Sequence, residues 1–300
     1  MKNVLVIHYS QSGQLSEIAQ QLSMPLVDNP QINVTFHRIE PVVPFPFPWN
    51  KETFFDVFPE SFQQIPVALK PVPTEILNQK YDLVLFAYQV WYLSPSIPAN
   101  SFLKSPEAKQ ILDGTPVVTI IACRNMWALA QAKVKKLLIA SNAQLKGNIA
   151  FTDRAGNLIS VVTIVDWMFS GIKRKYLGIF PLPGVSKTDI AESSKFGEII
   201  GNHLLSEKLD ELQPEIVRNN GVYVSPYLVN VDKKGNFIFS KWSSFIRSRK
   251  KSRTGWLKVF YVYLFVAIWV ISPIVYILHA LSYPFTISNR KKILDYYQGV

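Results

Sequence analysis

Ser10, Ser12 and Gly13 are the first residues in this chain whose types and spacing could do chemistry. They stand in VLVIHYSQSGQLSEIAQ (4–20), where an apolar run meets a small polar turn and then a helical pattern. A turn of this kind, placed just before a helix, offers backbone N–H groups to an anion. The two serines add hydroxyl donors, and Gly13 admits a close approach that a side chain would block. No GxxxxGK[ST] string occurs, so ATP or GTP is not expected; no GxGxxG occurs, which argues against an ordinary dinucleotide fold.

Two later strings could complete such a site. YQVWYLSPSIPANSFL (88–103) brings Tyr88, Trp91 and Tyr92, and CRNMW (123–127) brings Cys123, Arg124 and Asn125. Aromatic rings stack well on a flat apolar ligand, and Arg124 could stabilise a negative charge. Cys123, the single cysteine, reads as a small buried residue at a strand end rather than a nucleophile. It also excludes an internal disulfide and a cysteine zinc site; no metal is expected. His8, inside the first apolar run, reads as structural.

The elements that must position these residues alternate. Strands are expected at 3–9, 32–40, 81–88, 115–123 and 146–153, with helices at 15–22, 129–140 and 187–209. The strands read as near-continuous apolar runs, as parallel strands buried on both faces do. In such sheets ligands bind beyond the carboxyl ends of the strands, where Ser10–Leu15 fall. Two insertions interrupt the alternation. Residues 41–73 hold eight prolines and six phenylalanines, which reads as an ordered flap covering an apolar site or meeting a bilayer. Residues 157–184 hold an apolar stretch followed by KRK, either a core helix or a second membrane-contacting helix.

The formal net charge of +11 does not indicate nucleic acid, because of where it lies. Residues 1–150 hold 12 basic against 10 acidic side chains and 151–240 hold 10 of each, whereas 241–300 hold 10 against 1. That excess flanks VFYVYLFVAIWVISPIVYILHAL (259–281), inside a stretch from Val259 to Asn289 without Asp, Glu, Lys or Arg. The length suffices to cross a bilayer. Trp256, Phe260, Tyr261, Tyr283 and Phe285 read as interface anchors, and the upstream basic cluster favours a cytoplasmic N-terminal side and an anionic lipid partner. Ser272-Pro273 leaves two arrangements open, a kinked spanning helix or a re-entrant hairpin. Nothing at the N-terminus reads as a secretory signal. The domains expected are 1–210, a basic linker over 211–255, and a membrane-associated segment with a short basic tail over 256–300.

YSQSGQLSEIA resembles the FMN-phosphate loop of the flavodoxin-like superfamily, [ST]-x-[ST]-G-x-[ST], with Ser10, Ser12 and Gly13 on its first three marked positions. Leu15 stands where the last hydroxyl would be, so that contact is lost or moves to Ser16. The resemblance implies an α/β fold: a flavodoxin-like doubly wound five-stranded parallel sheet with insertions and a C-terminal hydrophobic membrane helix. It implies FMN held by Ser10, Gln11, Ser12, Gly13, Gln14 and Leu15, with Tyr88, Trp91, Tyr92, Cys123, Arg124 and Asn125 about the ring. More narrowly, the chain resembles the bacterial dialkylresorcinol-biosynthesis family ("dialkylresorcinol condensing enzyme"), which acts in dialkylresorcinol, flexirubin-type and stilbene pathways. That resemblance implies a ketosynthase-like partner that builds a lipophilic 2,5-disubstituted cyclohexane-1,3-dione, which this chain aromatises at the cytoplasmic face of the bacterial inner membrane. Tyr92 and Arg124 are then the expected catalytic residues, with Tyr88 near the dione. Two alternatives share the scaffold: a membrane-tethered NAD(P)H:quinone reductase, and a non-catalytic membrane scaffold without flavin. A homodimer is compatible with the sequence.

Overall fold

The computed structural model describes residues 1–281 and 287–300. Its centre is a parallel sheet of β1 (Lys2–His8), β2 (Ile32–Arg38), β3 (Leu83–Trp91), β5 (Pro116–Cys123) and β6 (Gln144–Thr152), ordered β2-β1-β3-β5-β6. A two-residue strand, β4 (Ser94–Pro95), turns back antiparallel on the end of β3. Val4 registers with Val34 on one side and Leu83 on the other, and Ile120 with Ile149. This is the flavodoxin-like strand order, and its switch point lies between β1 and β3. Val4–Ile7 and Leu83–Tyr88 are fully buried, so apolar side chains on both faces of these strands must be covered.

Helix α1 (Gln14–Val27) and helix α10 (Ser194–Leu205) cover one face. They pack closely because Gly197 has no side chain: a Cβ there would lie 1.9 Å from the Leu22 carbonyl oxygen. Helices α5 (Ile97–Leu103), α6 (Pro106–Leu112) and α7 (Ala128–Ala140) cover the other, with Phe86 of β3 stacked on Phe102 of α5. The helix expected over 187–209 is two, α9 (Lys187–Ala191) and α10, because the chain turns at Ser193, whose hydroxyl donates to the Ile190 carbonyl.

Insertion 41–73 is ordered, with short helices α2 (Lys51–Asp56) and α3 (Phe58–Phe62). Asn50 caps α2 by accepting from the Thr53 N–H at 2.8 Å. Helix α4 (Thr74–Leu77) then leads into β3. In the second insertion, α8 (Asn157–Ser170) ends at Gly171, whose φ of 73° is the left-handed stop of a helix.

The basic linker expected over 211–255 is instead mostly helical: α11 (Leu212–Arg218) and α12 (Pro226–Ser248). Its lysines mark the solvent side, whereas Asp232 is buried and accepts from the Leu129 N–H at 3.0 Å. Val229, Trp242 and Ile246 share the inner stripe of α12, while Lys233, Lys234, Lys241 and Arg247 point outward. Nor does the core close at residue 210: Leu212, Ile216, Val222 and Val224 belong to it, as do Ile293 and Tyr297 of the C-terminal helix (Ile287–Gln298).

The apolar run forms one helix, Arg253–Leu281, of 29 residues. It passes through Ser272-Pro273 without a hairpin. A widened π-type turn over Ala267–Ile271 precedes the proline, which can neither donate the next helical hydrogen bond nor tolerate a tight preceding turn. Tyr283 and Phe285, expected as interface anchors, lie outside the described residues.

The β1 histidine gives the fold a pH dependence. His8 is 6% exposed, and burial, aided by the nearby Arg38 charge, pushes its imidazole from 6.5 down to about 4. Above pH 6.5 neither folded nor unfolded chain carries this proton; as pH falls towards 4 only the unfolded chain takes it up, so stability is lost. Urea unfolding of the wild type should therefore lose about 2 kcal/mol or more between pH 7 and 4.5 relative to His8→Leu. Equal losses in both proteins would show that His8 does not set the acid limit.

Candidate functional site

A cavity of about 940 Å³ opens at the carboxyl ends of β1, β3 and β5, lined on its sheet side by Ser12, Leu15, Trp91, Tyr92, Cys123 and Arg124. Its volume falls in the range of sites that hold a cofactor or drug-sized molecule.

The β1–α1 turn forms one end. Gly13 adopts φ 88°, a left-handed conformation that costs other residues about 1–2 kcal/mol, and it directs the start of α1 at the cavity. The first N–H groups of a helix have no partner within it. Ser10 is buried and its hydroxyl accepts from the Leu15 N–H at 3.1 Å, so it braces the turn instead of facing the cavity. That bond also explains Leu15: its backbone is capped and its side chain is buried in the sheet core, where a hydroxyl would have been stranded. Gln11 and Gln14, expected as ligand contacts, spend their side chains on ties. The Gln11 amide donates to the Phe45 and Pro46 carbonyls and its oxygen accepts from the Tyr9 hydroxyl, while its N–H donates to the Gln89 side-chain oxygen. Gln14 bonds both the N–H and the C=O of Val185, each at 3.0 Å. Among the described residues no bond holds the Ser12 hydroxyl.

Strand β3 continues to Trp91, three residues beyond the expected end, and this relocates Tyr88. It lies within the strand, fully buried, with its hydroxyl donating to the Gln131 side chain on α7 at 2.7 Å. Tyr88 is therefore a core residue and not part of the cavity wall. The chain then reverses through Tyr92 and Leu93, at φ 46° and 59°, to pair Trp91 with Ser94. Two consecutive left-handed residues make the tight hairpin that Asn-Gly usually supplies, so Tyr-Leu holds this turn under strain. Trp91 stands at the centre of an aromatic group, 5.1 Å from Phe45, 5.5 Å from Trp49 and 6.0 Å from Tyr9 between ring centroids. The Tyr92 hydroxyl donates to the Phe54 carbonyl at 2.6 Å, and burial drives its acidity well below that of a free phenol. Expected as a catalytic residue and a flavin contact, Tyr92 has its hydroxyl engaged as a tether for the flap.

The β5–α7 loop supplies the charge. Arg124 is fixed by hydrogen bonds from one guanidinium nitrogen to the Asn157 carbonyl (3.0 Å) and side-chain oxygen (2.7 Å), and burial lowers its affinity for its proton. Burial pushes the Cys123 thiol far up, so it stays protonated and is a poor nucleophile. Asn125 faces away: its amide donates to Asn157 and it borders a separate cavity with Asp153 and Arg154. Asp166, the acidic residue among those described on the wall, is neutralised by Arg174 at 2.8 Å, which holds its carboxyl below the usual range.

The remaining walls come from the flap and from two segments with no sequence signal for this site. Trp49 and Phe54 close it from the flap, Val161 and Val165 from α8, and Phe265 and Ile268 from the apolar helix. The phenylalanine-rich composition foretold the flap's role; the α8 and helix contributions depend on contacts between segments more than a hundred residues apart.

No family model and no curated protein matches this chain. It is similar to the solved flavoprotein in complex with FMN from Lactobacillus acidophilus NCFM, at 16% identity over 50% of this chain and 93% of that one, TM-score 0.40. It is similar also to an oxidoreductase from Corynebacterium diphtheriae, at 13% identity over 71% and 96%, TM-score 0.35. A third likeness is to RosB with bound 8-demethyl-8-formylriboflavin-5'-phosphate, at 10% identity over 80% and 88%, TM-score 0.37. The fold itself follows from the strand order β2-β1-β3-β5-β6.

The tether reading of Tyr92 separates from an acid–base role by substitution. Tyr92→Phe should lower stability by about 1 kcal/mol in urea unfolding and speed proteolysis within 41–73, because the Phe54 carbonyl loses its donor. Unchanged stability and proteolysis would remove the tether.

Proposed function

We propose that this protein binds FMN in the strand-end cavity and oxidises 2,5-dialkylcyclohexane-1,3-diones to dialkylresorcinols in bacterial secondary metabolism, the dione coming from a ketosynthase-like partner. The observation that carries the reading is the division of one cavity into a polar end at the start of α1, a cationic side at Arg124 and a large aromatic–aliphatic remainder. The residues present fit the cofactor: Gly13 leaves open space where a Cβ would project, and, with the Leu15 N–H taken by Ser10, the Ser12 hydroxyl and the Gln14 and Ser16 N–H groups at the start of α1 remain to take a phosphate. Bound FMN would supply a two-electron acceptor for the hydride that leaves the ring.

The conversion of a cyclohexane-1,3-dione to a resorcinol removes two hydrogens, one as hydride and one as a proton. The chain's own tasks are positioning and charge. Trp91 lines the cavity and is held by three aromatic neighbours, a rigid wall against which a planar ring system would be fixed. Arg124, anchored through Asn157, keeps a positive charge beside the place where the dione oxygen becomes enolate. The proton between two carbonyls is acidic enough that a modest base suffices. Val161, Val165, Phe265 and Ile268 offer the alkyl chains an apolar lining and keep water out. The protonated Cys123 supports oxidation over the carbon–carbon condensation that the family's label suggests, since condensation through this residue would need its thiolate.

The test is an anaerobic absorbance titration of the purified protein with a 2,5-dialkylcyclohexane-1,3-dione. Stoichiometric bleaching of bound flavin with appearance of the resorcinol is expected. Flavin that only NAD(P)H bleaches would overturn the aromatase in favour of a quinone-type reductase, and a colourless protein that takes up no FMN would point to the scaffold. Gly13→Val should weaken FMN binding about ten-fold or more, because the turn loses its left-handed residue; undiminished affinity would place the phosphate elsewhere.

A further inference from the structure

The apolar helix Arg253–Leu281 is tied to the folded body along its whole length. At its start Arg253 bridges Asp56 and Glu60, each at 2.7 Å, and Phe260 stacks on Phe58 with centroids 3.9 Å apart. Midway, Phe265 and Ile268 line the cavity opposite α8. Further on, the Tyr227 hydroxyl donates to the Ser272 carbonyl at 3.3 Å, and the Tyr227 ring meets Tyr276 and His279. Past its end the C-terminal helix returns Ile293 and Tyr297 to the main core, and Lys135 binds the Gly299 carbonyl.

A helix of 29 residues is about 43 Å long. Had it crossed a bilayer, Ile293 and Tyr297 would have to come back through about 30 Å of hydrocarbon. The segment that would recross carries Arg290, Lys291 and Lys292, which the hydrocarbon excludes. The side of the helix turned away from the body is nonetheless apolar. Val262, Val266, Val270, Ile274, Ile277 and Leu281 recur at three- and four-residue spacing and are 42–70% exposed. Across the cavity mouth, Val165 of α8 and Ile172, Leu177 and Ile179 beyond it are exposed as well. Single exposed apolar residues need no explanation, but a continuous apolar face does.

We propose that this face is a monotopic membrane-docking surface: the helix lies in the plane of one leaflet, with α8 and the 172–182 loop beside it and the cavity mouth between them. The lipid it fits is anionic. Exposed Arg249, Lys251 and Lys258 stand at one end of the helix, Lys291 and Lys292 beyond the other, and Lys175 next to α8. Each such cation near a surface of this kind strengthens attachment about five-fold at moderate salt. On the functional reading above, and resting on it, an alkylated ring would enter from the leaflet without crossing water; the docking surface itself does not depend on that reading.

The experiment uses the full chain with vesicles of phosphatidylcholine containing or lacking one third phosphatidylglycerol. Flotation should show binding that the anionic lipid strengthens at least ten-fold and that Val270→Asp with Ile277→Asp weakens at least ten-fold, while FMN uptake by the double variant stays unchanged. Spin labels at cysteines placed at 262, 270 and 277 should report the same shallow depth. Depths graded from one interface to the other would show a spanning helix and overturn the proposal. Failure to bind either vesicle, together with a dimer that Val270→Asp dissociates, would assign the face to a second copy of this chain instead. Because vesicle binding is read without substrate, its failure and the failure of the dione titration are separate results.

Discussion

The stack of Phe58 on Phe260, with Arg253 clamped between Asp56 and Glu60 beside it, is the contact on which the rest of the cavity depends. It is the centre of a second, small core of Phe55, Phe58, Phe62, Ile246, Leu257 and Phe260, separate from the core around the sheet. Each of these side chains contributes about 1.5–3 kcal/mol by leaving water, and the aromatic pairs add about 0.5–1.5 kcal/mol each. No one of the three segments that meet here, the flap, α12 and the start of the apolar helix, could bury its aromatic residues alone. Together they fix the flap over the strand ends and hold the apolar helix against α8, so the cavity acquires a roof and a far wall.

The sheet end of the cavity is built by a different device. Short polar side chains and glutamines lock the turn to its surroundings: Ser10 to Leu15, Gln11 to β3 and the flap, and Gln14 to Val185. Gly184 belongs to the same lock, since a Cβ there would meet the Gln14 side-chain oxygen at 2.6 Å and the Trp167 ring at 2.9 Å. Left-handed residues concentrate here too, with Gly13, Tyr92, Leu93 and Gly184 all at positive φ around one cavity. Backbone of this kind persists only where neighbouring contacts over-determine it, and the glutamine ties and the Tyr92–Phe54 bond are those contacts.

The sheet was legible in the sequence because each strand is a short, nearly unbroken apolar run, and burial on both faces leaves few other ways to place it. The site was legible where it follows from strand ends: Ser12, Gly13, Trp91 and Arg124 all lie at the cavity or shape its turn. Tyr88 was misplaced because β3 runs on to Trp91, and alternation then turns Tyr88 towards α7, where Gln131 satisfies its hydroxyl. Asn125 was misplaced because a loop of five residues can present neighbours to opposite sides, which composition does not encode. The glutamines carry no ligand signal or tether signal of their own; their roles follow from which carbonyls the flap brings near. Residues 211–255 resemble a linker in their density of basic side chains, whereas Val229, Trp242 and Ile246 at helical spacing are the physical signal of the packed helix α12.

The balance of charge in the cavity limits what chemistry its walls can support. Arg124 is anchored by Asn157 oxygens that carry no charge, and the nearby Asp153 carboxylate acts on it without a direct ion pair among the described residues, whereas Asp166 is held by Arg174 and presents little free negative charge. Lys51 adds a second cation at the flap edge, over the Tyr261 ring at 3.6 Å. A site so biased favours ligands that are anionic or become so, and disfavours chemistry that needs a thiolate or a free carboxylate nucleophile. Burial works in the same direction on both uncharged groups: it keeps Cys123 protonated and the Tyr92 phenol neutral. The low dielectric made by the aromatic flap and the two apolar helices strengthens the field of Arg124 on anything bound beside it. The hydrophobic walls and the single anchored guanidinium are therefore one arrangement: the walls give the charge its reach, and the charge gives an otherwise greasy cavity its orientation.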